Sequence, residues 1–204
     1  GEPQYLPGLY GKAMLLSGVS KSGSWVSVFY PLLDNLDLTK PGAAAVWLSP
    51  HDWKRSEEEA YFFPIKIIGN NGVQLMFGRQ GQSKNPKRND MVYLWSQIGA
   101  SKGVTLIGGG SLNWKNDEWH LWVMNWRSNS IEFSFDGGAP QRQDLPAKID
   151  PDGDRAGHFI IAMQIESCRY LLDEILVLDR PLDENEIKWM YEQGMNTEKT
   201  KTAK

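Results

Sequence analysis

The sequence predicts an all-β fold, an antiparallel sandwich that ends in one short helix. Short runs of aromatic and β-branched residues alternate with turn signals along most of the chain. At 130–135, Ile131, Phe133 and Phe135 alternate with polar residues, which is typical of an antiparallel strand with one solvated face. Helical periodicity is convincing only at 183–193.

The predicted strands follow one another with short connections. About ten are expected, at 24–30, 44–48, 61–68, 73–79, 91–98, 104–107, 118–126, 130–135, 158–165 and 172–178. The clearest predicted hairpin joins the strands at 118–126 and 130–135. A Gly-Asn-Asn-Gly turn at 69–72 joins another pair of strands. This spacing fits a sandwich built from one continuous domain.

The last strand and the helix are predicted from local signals. Ile175 and Val177 lie on one face of the strand, and Glu174 and Leu176 lie on the other. Pro181 then closes the strand, because it has no N–H for a ladder and its φ is fixed.

The helix has the sequence of a capped, amphipathic segment. Asp183 is the predicted N-cap, and Glu186 completes a capping box. Gly194 favours the left-handed backbone conformation that commonly ends a helix. Its apolar face contains Ile187, Met190 and Tyr191. One domain is therefore expected over 1–194, followed by a flexible tail at 195–204.

Composition narrows the classes of function. The chain has 204 residues, a net charge of −3 and 41% hydrophobic residues, which indicates a globular protein with a sizeable core. No long basic run favours nucleic acid, and no apolar stretch reaches the roughly 18 residues of a membrane span. A single cysteine, Cys168, excludes an internal disulfide.

Four stretches, in this order, resemble the laminin-G-like and concanavalin-A-like lectin/glucanase domains. They are the opening strand at 8–16, a segment at 35–50 with Gly42, Trp47 and Pro50, a segment at 117–137, and the C-terminal stretch at 171–194. The third segment matches at Trp119, His120, Trp126, Ile131, Asp136 and Gly137; the last matches at Asp173, Glu174, Arg180, Leu182, Glu186 and Ile187. The resemblance implies a jelly roll of two antiparallel sheets and does not by itself imply a ligand.

Catalytic carboxylates are the first candidate chemistry. Hydrolases of the resembled fold place acids at alternate positions of one strand, as E-x-D-x-E, which clusters them on one face. This chain has no such motif, since Asp173 and Glu174 are adjacent and point to opposite faces, as do Asp117 and Glu118. A non-catalytic role is therefore favoured.

Metal binding is the second candidate. The resemblance implies a structural calcium near Asp173, and the alternative interpretation of Asp173 is a buried hydrogen-bond acceptor that ties the strand to a loop. The acidic turn with Asp150, Asp152 and Asp154 is a rival calcium loop, although a solvated acidic turn is the more usual outcome. Calcium is the one cofactor expected.

Aromatic residues are the third candidate, because sugars lay their C–H faces on exposed rings while polar groups bind their hydroxyls. Nine tryptophans are present. Trp47, Trp119 and Trp189 are predicted to pack into the fold. Carbohydrate contacts are predicted for Trp53, Trp114 and Trp126, which neighbour polar loops, with Arg79 and Arg127 as hydroxyl or acid partners. For any one of these loop tryptophans, pinning its own turn is the more common role.

Together these patterns predict a non-catalytic carbohydrate-binding, lectin-like module that is extracellular or periplasmic. No secretory signal is visible, and mature secreted proteins have lost theirs. The expected partner is a polysaccharide or glycan, with other domains of a larger protein as further partners. A glycoside hydrolase or lyase with unconventional acids and a protein-interaction domain are the alternatives.

Overall fold

The computed structural model describes residues 4–17, 28–32, 35–51, 61–69, 72–80, 91–107, 114–149, 157–164 and 169–202. Within these ranges the strands are β1 (Gln4–Gly8), β2 (Gly11–Ser17), β3 (Val28–Pro31), β4 (Gly42–His51), β5 (Tyr61–Gly69), β6 (Gln74–Gln80), β7 (Met91–Ile98), β8 (Ser101–Ile107), β9 (His120–Arg127), β10 (Ser130–Phe135), β11 (Gln141–Asp144), β12 (Gly157–Gln164) and β13 (Arg169–Leu178). One helix, α1 (Glu184–Thr202), follows.

The strands form two antiparallel sheets, so the predicted all-β sandwich with a C-terminal helix is confirmed. One sheet has the order β1-β2-β13-β4-β9-β10-β11, and the other has the order β3-β12-β5-β6-β7-β8. Both predicted hairpins are present, β5 with β6 and β9 with β10. The predicted strand at 24–30 overlaps β3, whereas the outer strand β11 was not predicted and β1 was not separated from β2, because short edge strands carry little hydrophobic pattern.

The middle strands β4 and β9 of the seven-stranded sheet are buried on both faces. On β9, Trp122 and Met124 enter the core between the sheets, whereas Leu121 and Val123 belong to a second core. Ile187 of α1 lies in this second core, so the helix covers the outer face of the sheet. The side chains on both faces of β9 are therefore buried, a pattern that is more usual for strands of parallel sheets.

The N-terminus of α1 has the predicted capping box. The Asp183 carboxylate accepts a hydrogen bond from the Glu186 backbone N–H at 2.8 Å, and Glu186 accepts one from the Asp183 N–H at 2.9 Å. The guanidinium of Arg180 donates to both Glu186 oxygens at 2.6 and 2.8 Å, which lowers the pKa of Glu186 to about 2. These bonds fix where the helix begins.

Two further hydrogen bonds connect the segment that precedes α1 to the seven-stranded sheet. The buried amide of Asn125 on β9 donates to the Leu182 carbonyl at 2.8 Å and accepts from the Leu182 N–H at 3.0 Å. Both backbone groups of a buried residue are satisfied by one side chain. The position of α1 on the sheet is thus set by β9.

The predicted helix stop at Gly194 is wrong, and so is the flexible tail for 195–202. The helix continues to Thr202, and Gly194 lies inside it, buried against Trp47. A Cβ on Gly194 would come within 2.5 Å of Trp47 Cη2, so the glycine permits close helix packing and does not end the helix. Lys201 donates to the Gly8 carbonyl at 2.5 Å and holds the last turn on the sheet.

Two further expectations need correction. The opening segment 8–16 is not one strand, because Leu9 and Tyr10 turn the chain between β1 and β2. Trp189 does not pack down, since it is 61% exposed on the outer side of α1. The predicted core positions Trp47 and Trp119 are confirmed, and both lie beneath the helix.

Candidate ligand-binding site

A pocket of about 370 Å³ opens at one margin of the sandwich. It lies where the edge strand β3 and its neighbour β12 face the second half of β13. The residues that line it are Tyr30, Pro31, Leu32, Asn35, Leu36, Phe159, Ile161, Ile175 and Val177. Its volume is within the range of small-ligand sites, toward the lower end.

Strand pairing places the aromatic wall of the pocket. Tyr30 pairs with Phe159 across β3 and β12, and cross-strand partners share a face of the sheet. Phe159 belongs to the core between the sheets, while Tyr30, on the edge strand, is 53% exposed. The ring of Tyr30 therefore extends the core toward solvent and forms part of an open wall.

Exposed apolar side chains line this opening, with Tyr30 on one wall. Phe29, its neighbour along β3, points to the other face of the sheet, where its ring contacts that of His158 edge-on at 5.8 Å between centroids. Ile175 and Val177 on the opposite wall are also exposed. Exposed apolar side chains in an open concave surface are typical of sites that bind a small ligand or another protein.

A bulge in β13 brings Ile175 and Val177 to the pocket. Asp173 pairs with Trp47 of β4, but Leu176 pairs with Ala45, so β13 carries one extra residue. The insertion reverses the alternation of side chains. Leu172 faces the core between the sheets before the bulge, whereas Leu176 packs on the helix side after it. Ile175 and Val177 share one face of the strand, as predicted, and that face lines the pocket.

Asp173 holds this bulge. Its carboxylate accepts hydrogen bonds from the Glu174 N–H at 3.0 Å and from the Tyr10 N–H at 2.9 Å. Glu174 has φ of +46°, a left-handed conformation that is uncommon for a residue other than glycine. The bonds to Asp173 offset part of that strain and tie the strand to the turn between β1 and β2.

The fit of calcium to Asp173 is poor. Two N–H donors already occupy its carboxylate, and a Cβ on Gly8 would lie 2.5 Å from its Oδ2. Among the residues that the structure describes, no group of three or more His, Cys, Asp or Glu side chains is arranged for a metal ion. The geometry favours the hydrogen-bond acceptor. Asp150, Asp152 and Asp154 lie outside the described residues, so the rival calcium loop stays a prediction.

Of the predicted carbohydrate contacts whose side chains the structure describes, Trp114, Trp126 and Arg127, none lines this pocket. The Trp114 ring stacks on His120 at 4.2 Å and on Phe135 at 5.3 Å. Arg127 lies at the far end of β9, about 23 Å along the strand from His120, with Glu132 3.8 Å away. Trp53 and the side chain of Arg79 lie outside the described residues.

The ligand prediction for Trp126 is wrong. Its side chain is fully buried in the core between the sheets, together with Trp122 and Met124, so it presents no face to a ligand. Its polar sequence neighbours, Asn125 and Arg127, point the other way because strand residues alternate. The alternation with Trp122 was the signal that could have placed Trp126 in the core.

His120 and Asp136 form a partly buried polar pair. His120 Nδ1 and Asp136 Oδ2 are 2.8 Å apart, and the other Asp136 oxygen accepts from the Leu121 N–H at 2.9 Å. Trp114 covers the imidazole. Asp136 has φ of +48° in the turn that ends β10. The pair joins both ends of the β9–β10 hairpin, which is a structural role.

Comparison with known proteins identifies the fold. Neither a protein-family model nor a curated protein sequence matches the chain. Solved structures do: the binding domain of botulinum neurotoxin DC in complex with SialylT matches with a TM-score of 0.68 and 12% identity over 95% of this chain. The same domain in complex with rat synaptotagmin II gives a TM-score of 0.68 at 11% identity, also over 95% of this chain.

A third structure concerns botulinum neurotoxin type C, whose cell entry depends on interaction with two ganglioside molecules. It matches with a TM-score of 0.69 and 11% identity over 95% of this chain. The match covers 45% of each of these three binding-domain chains, so this chain spans less than half of their length. At such identities the likeness establishes a shared β-sandwich fold.

Proposed function

We propose that this protein is a non-catalytic carbohydrate-binding, lectin-like module of the concanavalin-A-like or laminin-G-like type. The observation that carries the proposal is the pocket between β3, β12 and β13, with the exposed ring of Tyr30 beside the amide of Asn35. An extracellular or periplasmic location belongs to the same proposal, because glycan coats and polysaccharides lie there.

The chemistry of the pocket supports a sugar. A pyranose has an apolar C–H face that lies well on an aromatic ring, and Tyr30 offers such a ring with a hydroxyl at its edge. Asn35 lines the same pocket and is held by a hydrogen bond from its side-chain nitrogen to the Pro31 carbonyl at 3.0 Å. An aromatic wall next to a fixed amide is the combination expected of a small sugar site.

The structural neighbours support a binding role of this general kind. Two of them are complexes, one with SialylT and one with rat synaptotagmin II, and cell entry of botulinum neurotoxin type C depends on interaction with two ganglioside molecules. Because those domains are more than twice as long as this chain, their ligands do not locate a site here. They do make glycan binding and protein binding the two classes to test first.

A protein-interaction domain is the second candidate. The exposed side chains of Tyr30, Ile175 and Val177 give the pocket apolar walls that reach the surface. Exposed apolar surface with polar surroundings also marks protein interfaces. A glycoside hydrolase or lyase is disfavoured, because the described lining of the pocket includes no carboxylate to serve as acid or nucleophile.

A glycan array with the purified protein, in calcium and in EDTA, tests the proposal. We expect binding to a restricted set of glycans that is weakened by Tyr30→Ala and by Asn35→Ala. Trp189→Ala is the matched control, because it removes an equally exposed aromatic ring from the outer side of α1. Glycan binding that survives Tyr30→Ala but is lost in Trp189→Ala would move the site to the helix.

Two other outcomes would replace the proposal. New reducing ends after prolonged incubation with a polysaccharide, abolished by substitution of one carboxylate, would make the protein an enzyme. An array without any glycan signal, combined with a protein partner whose binding is lost in Tyr30→Ala, would favour the protein-interaction domain.

A further inference from the structure

The described side chains that line the pocket carry no formal charge. All nine described lining residues are aliphatic, aromatic, proline or asparagine. A cationic side chain, which would pair with the carboxylate of an acidic sugar, is therefore missing from this described lining. The two polar side chains, Tyr30 and Asn35, are neutral hydrogen-bonding groups.

The charges next to the pocket along β13 are negative. Glu174 immediately precedes Ile175, and Asp179 follows two residues after Val177; both acids are exposed. Arg180 is the nearest cation in sequence, and it is engaged by Glu186 through two hydrogen bonds. His158 contacts Phe29 on the other face of the sheet and is outside the described lining. The described charges along β13 therefore repel an anion more than they attract one.

From these observations we infer that the pocket selects an uncharged sugar, a neutral pyranose stacked on Tyr30, and rejects sialylated or uronic-acid glycans. A carboxylate that enters an apolar pocket loses its hydration and gains no ion pair, whereas the hydroxyls and C–H face of a neutral sugar match Asn35 and Tyr30. The volume of about 370 Å³ suits one sugar or a short portion of a chain. This inference rests on the proposed carbohydrate-binding function and narrows it to one ligand class.

The specificity prediction is the opposite of what the structural neighbours suggest. The binding domain of botulinum neurotoxin DC is in complex with SialylT, and cell entry of botulinum neurotoxin type C depends on interaction with two ganglioside molecules. If this chain used a similar acidic ligand at the pocket, a lysine or arginine in the lining would be expected. A preference for neutral glycans would indicate a site particular to this chain. A preference for acidic glycans would indicate a specificity like that of the structural neighbours.

A matched pair of ligands tests the inference. Lactose and 3′-sialyllactose differ by one acidic sugar, and their methyl glycosides can be titrated by saturation-transfer NMR or calorimetry. The same comparison is then made for glucose and glucuronate oligomers. We expect each neutral member to bind at least about tenfold more tightly than its acidic partner.

Three variants locate the effect. Tyr30→Ala should weaken the neutral ligand by roughly tenfold, whereas Tyr30→Phe, which keeps the ring, should retain most of the affinity. Val177→Lys places a cation on the pocket wall and should narrow or reverse the preference for the neutral ligand. Tyr30 and Val177 are both exposed, so thermal melts of these variants should stay close to those of the unmodified protein.

The outcomes distinguish this inference from the proposed function. Tighter binding of the acidic partners, lost in Tyr30→Ala, would overturn the neutral-sugar inference and leave the lectin-like function in place. Glycan binding that neither Tyr30→Ala nor Val177→Lys alters would overturn the assignment to this pocket. No binding of any glycan on a broad array would overturn the proposed function itself.

Discussion

Gly194→Ala should destabilise the protein, although the same change stabilises most helices. In an exposed helix interior, alanine is favoured over glycine by about 1 kcal/mol. At position 194 the added methyl group would lie 2.5 Å from Trp47 Cη2 and closer still to Cζ2. Carbon atoms in contact prefer about 3.5–4.0 Å, so the helix must move outward by about 1 Å or the indole must turn.

Neither movement is easy. Trp47 is 2% exposed, and its ring lies between Gly194 and the sheet with Tyr191 stacked at 6.0 Å. Overpacking of a well-packed core costs typically about 1–3 kcal/mol, and a rigid indole on a sheet places this case at the upper end. After the gain in helix propensity is subtracted, a net loss of about 2 kcal/mol is expected. For a chain of this size the melting temperature should fall by roughly 4–8 °C.

Urea denaturation followed by circular dichroism measures this loss. Asn196→Ala, on an exposed position of the same helix, is the control and should be neutral or slightly stabilising. Trp47→Phe removes Cζ2 and Cη2, so Gly194→Ala should cost much less in that background, and the double-mutant cycle should show coupling. A Gly194→Ala variant more stable than the unmodified protein would refute the packing role of Gly194.

Three further predictions concern stability. Trp119→Ala should cost about 3–5 kcal/mol in chemical denaturation, because the ring is buried beneath α1; a loss under about 1 kcal/mol would show that it is not core. Burial raises the pKa of Glu198, and the negative charge of Glu118 raises it further. The protonated side chain therefore contributes to stability at about pH 4, and this contribution is lost as the pH rises through the folded-state pKa. Glu198→Gln should therefore gain stability relative to the unmodified protein between about pH 4 and pH 7, and equal differences at both values would contradict this. Asp173→Asn should lower the free energy of unfolding by about 1–3 kcal/mol, equally in EDTA and in calcium. If calcium raises the melting temperature of the unmodified protein, and Asp173→Asn abolishes that rise while Asp152→Asn does not, the ion binds at Asp173 instead.

Local signals in the sequence were sufficient where a structure depends on near neighbours. The capping box of Asp183 and Glu186 requires only residues three apart, and it forms as predicted. The alternation in β10 likewise places Ile131 and Phe133 in the core. Ser134 on the other face is also buried, because a second layer covers it and its hydroxyl bonds to the Gly138 carbonyl.

Long-range packing decided the features that the sequence did not reveal. A glycine after an amphipathic segment fits a helix stop as well as a close helix contact, and only the position of Trp47 distinguishes the two. Trp126 has polar neighbours in sequence, yet both faces of β9 are covered, so tryptophan there is buried whichever way it points. Patterns that assume one solvated face fail on a sheet that lies between a helix and another sheet.

The candidate pocket depends on a contact between distant parts of the chain. Tyr30 is at the end of β3 and Val177 near the end of β13, and neither lies in a recognisable motif. The bulge at Glu174 lets one strand fill two roles, since its first half closes the core and its second half presents Ile175 and Val177 to the pocket. A non-glycine residue in a left-handed conformation persists only where surrounding bonds fix it, and here Asp173 supplies them. The aspartate that suggested a calcium site therefore acts on the pocket through the backbone, by setting which side chains of β13 face it.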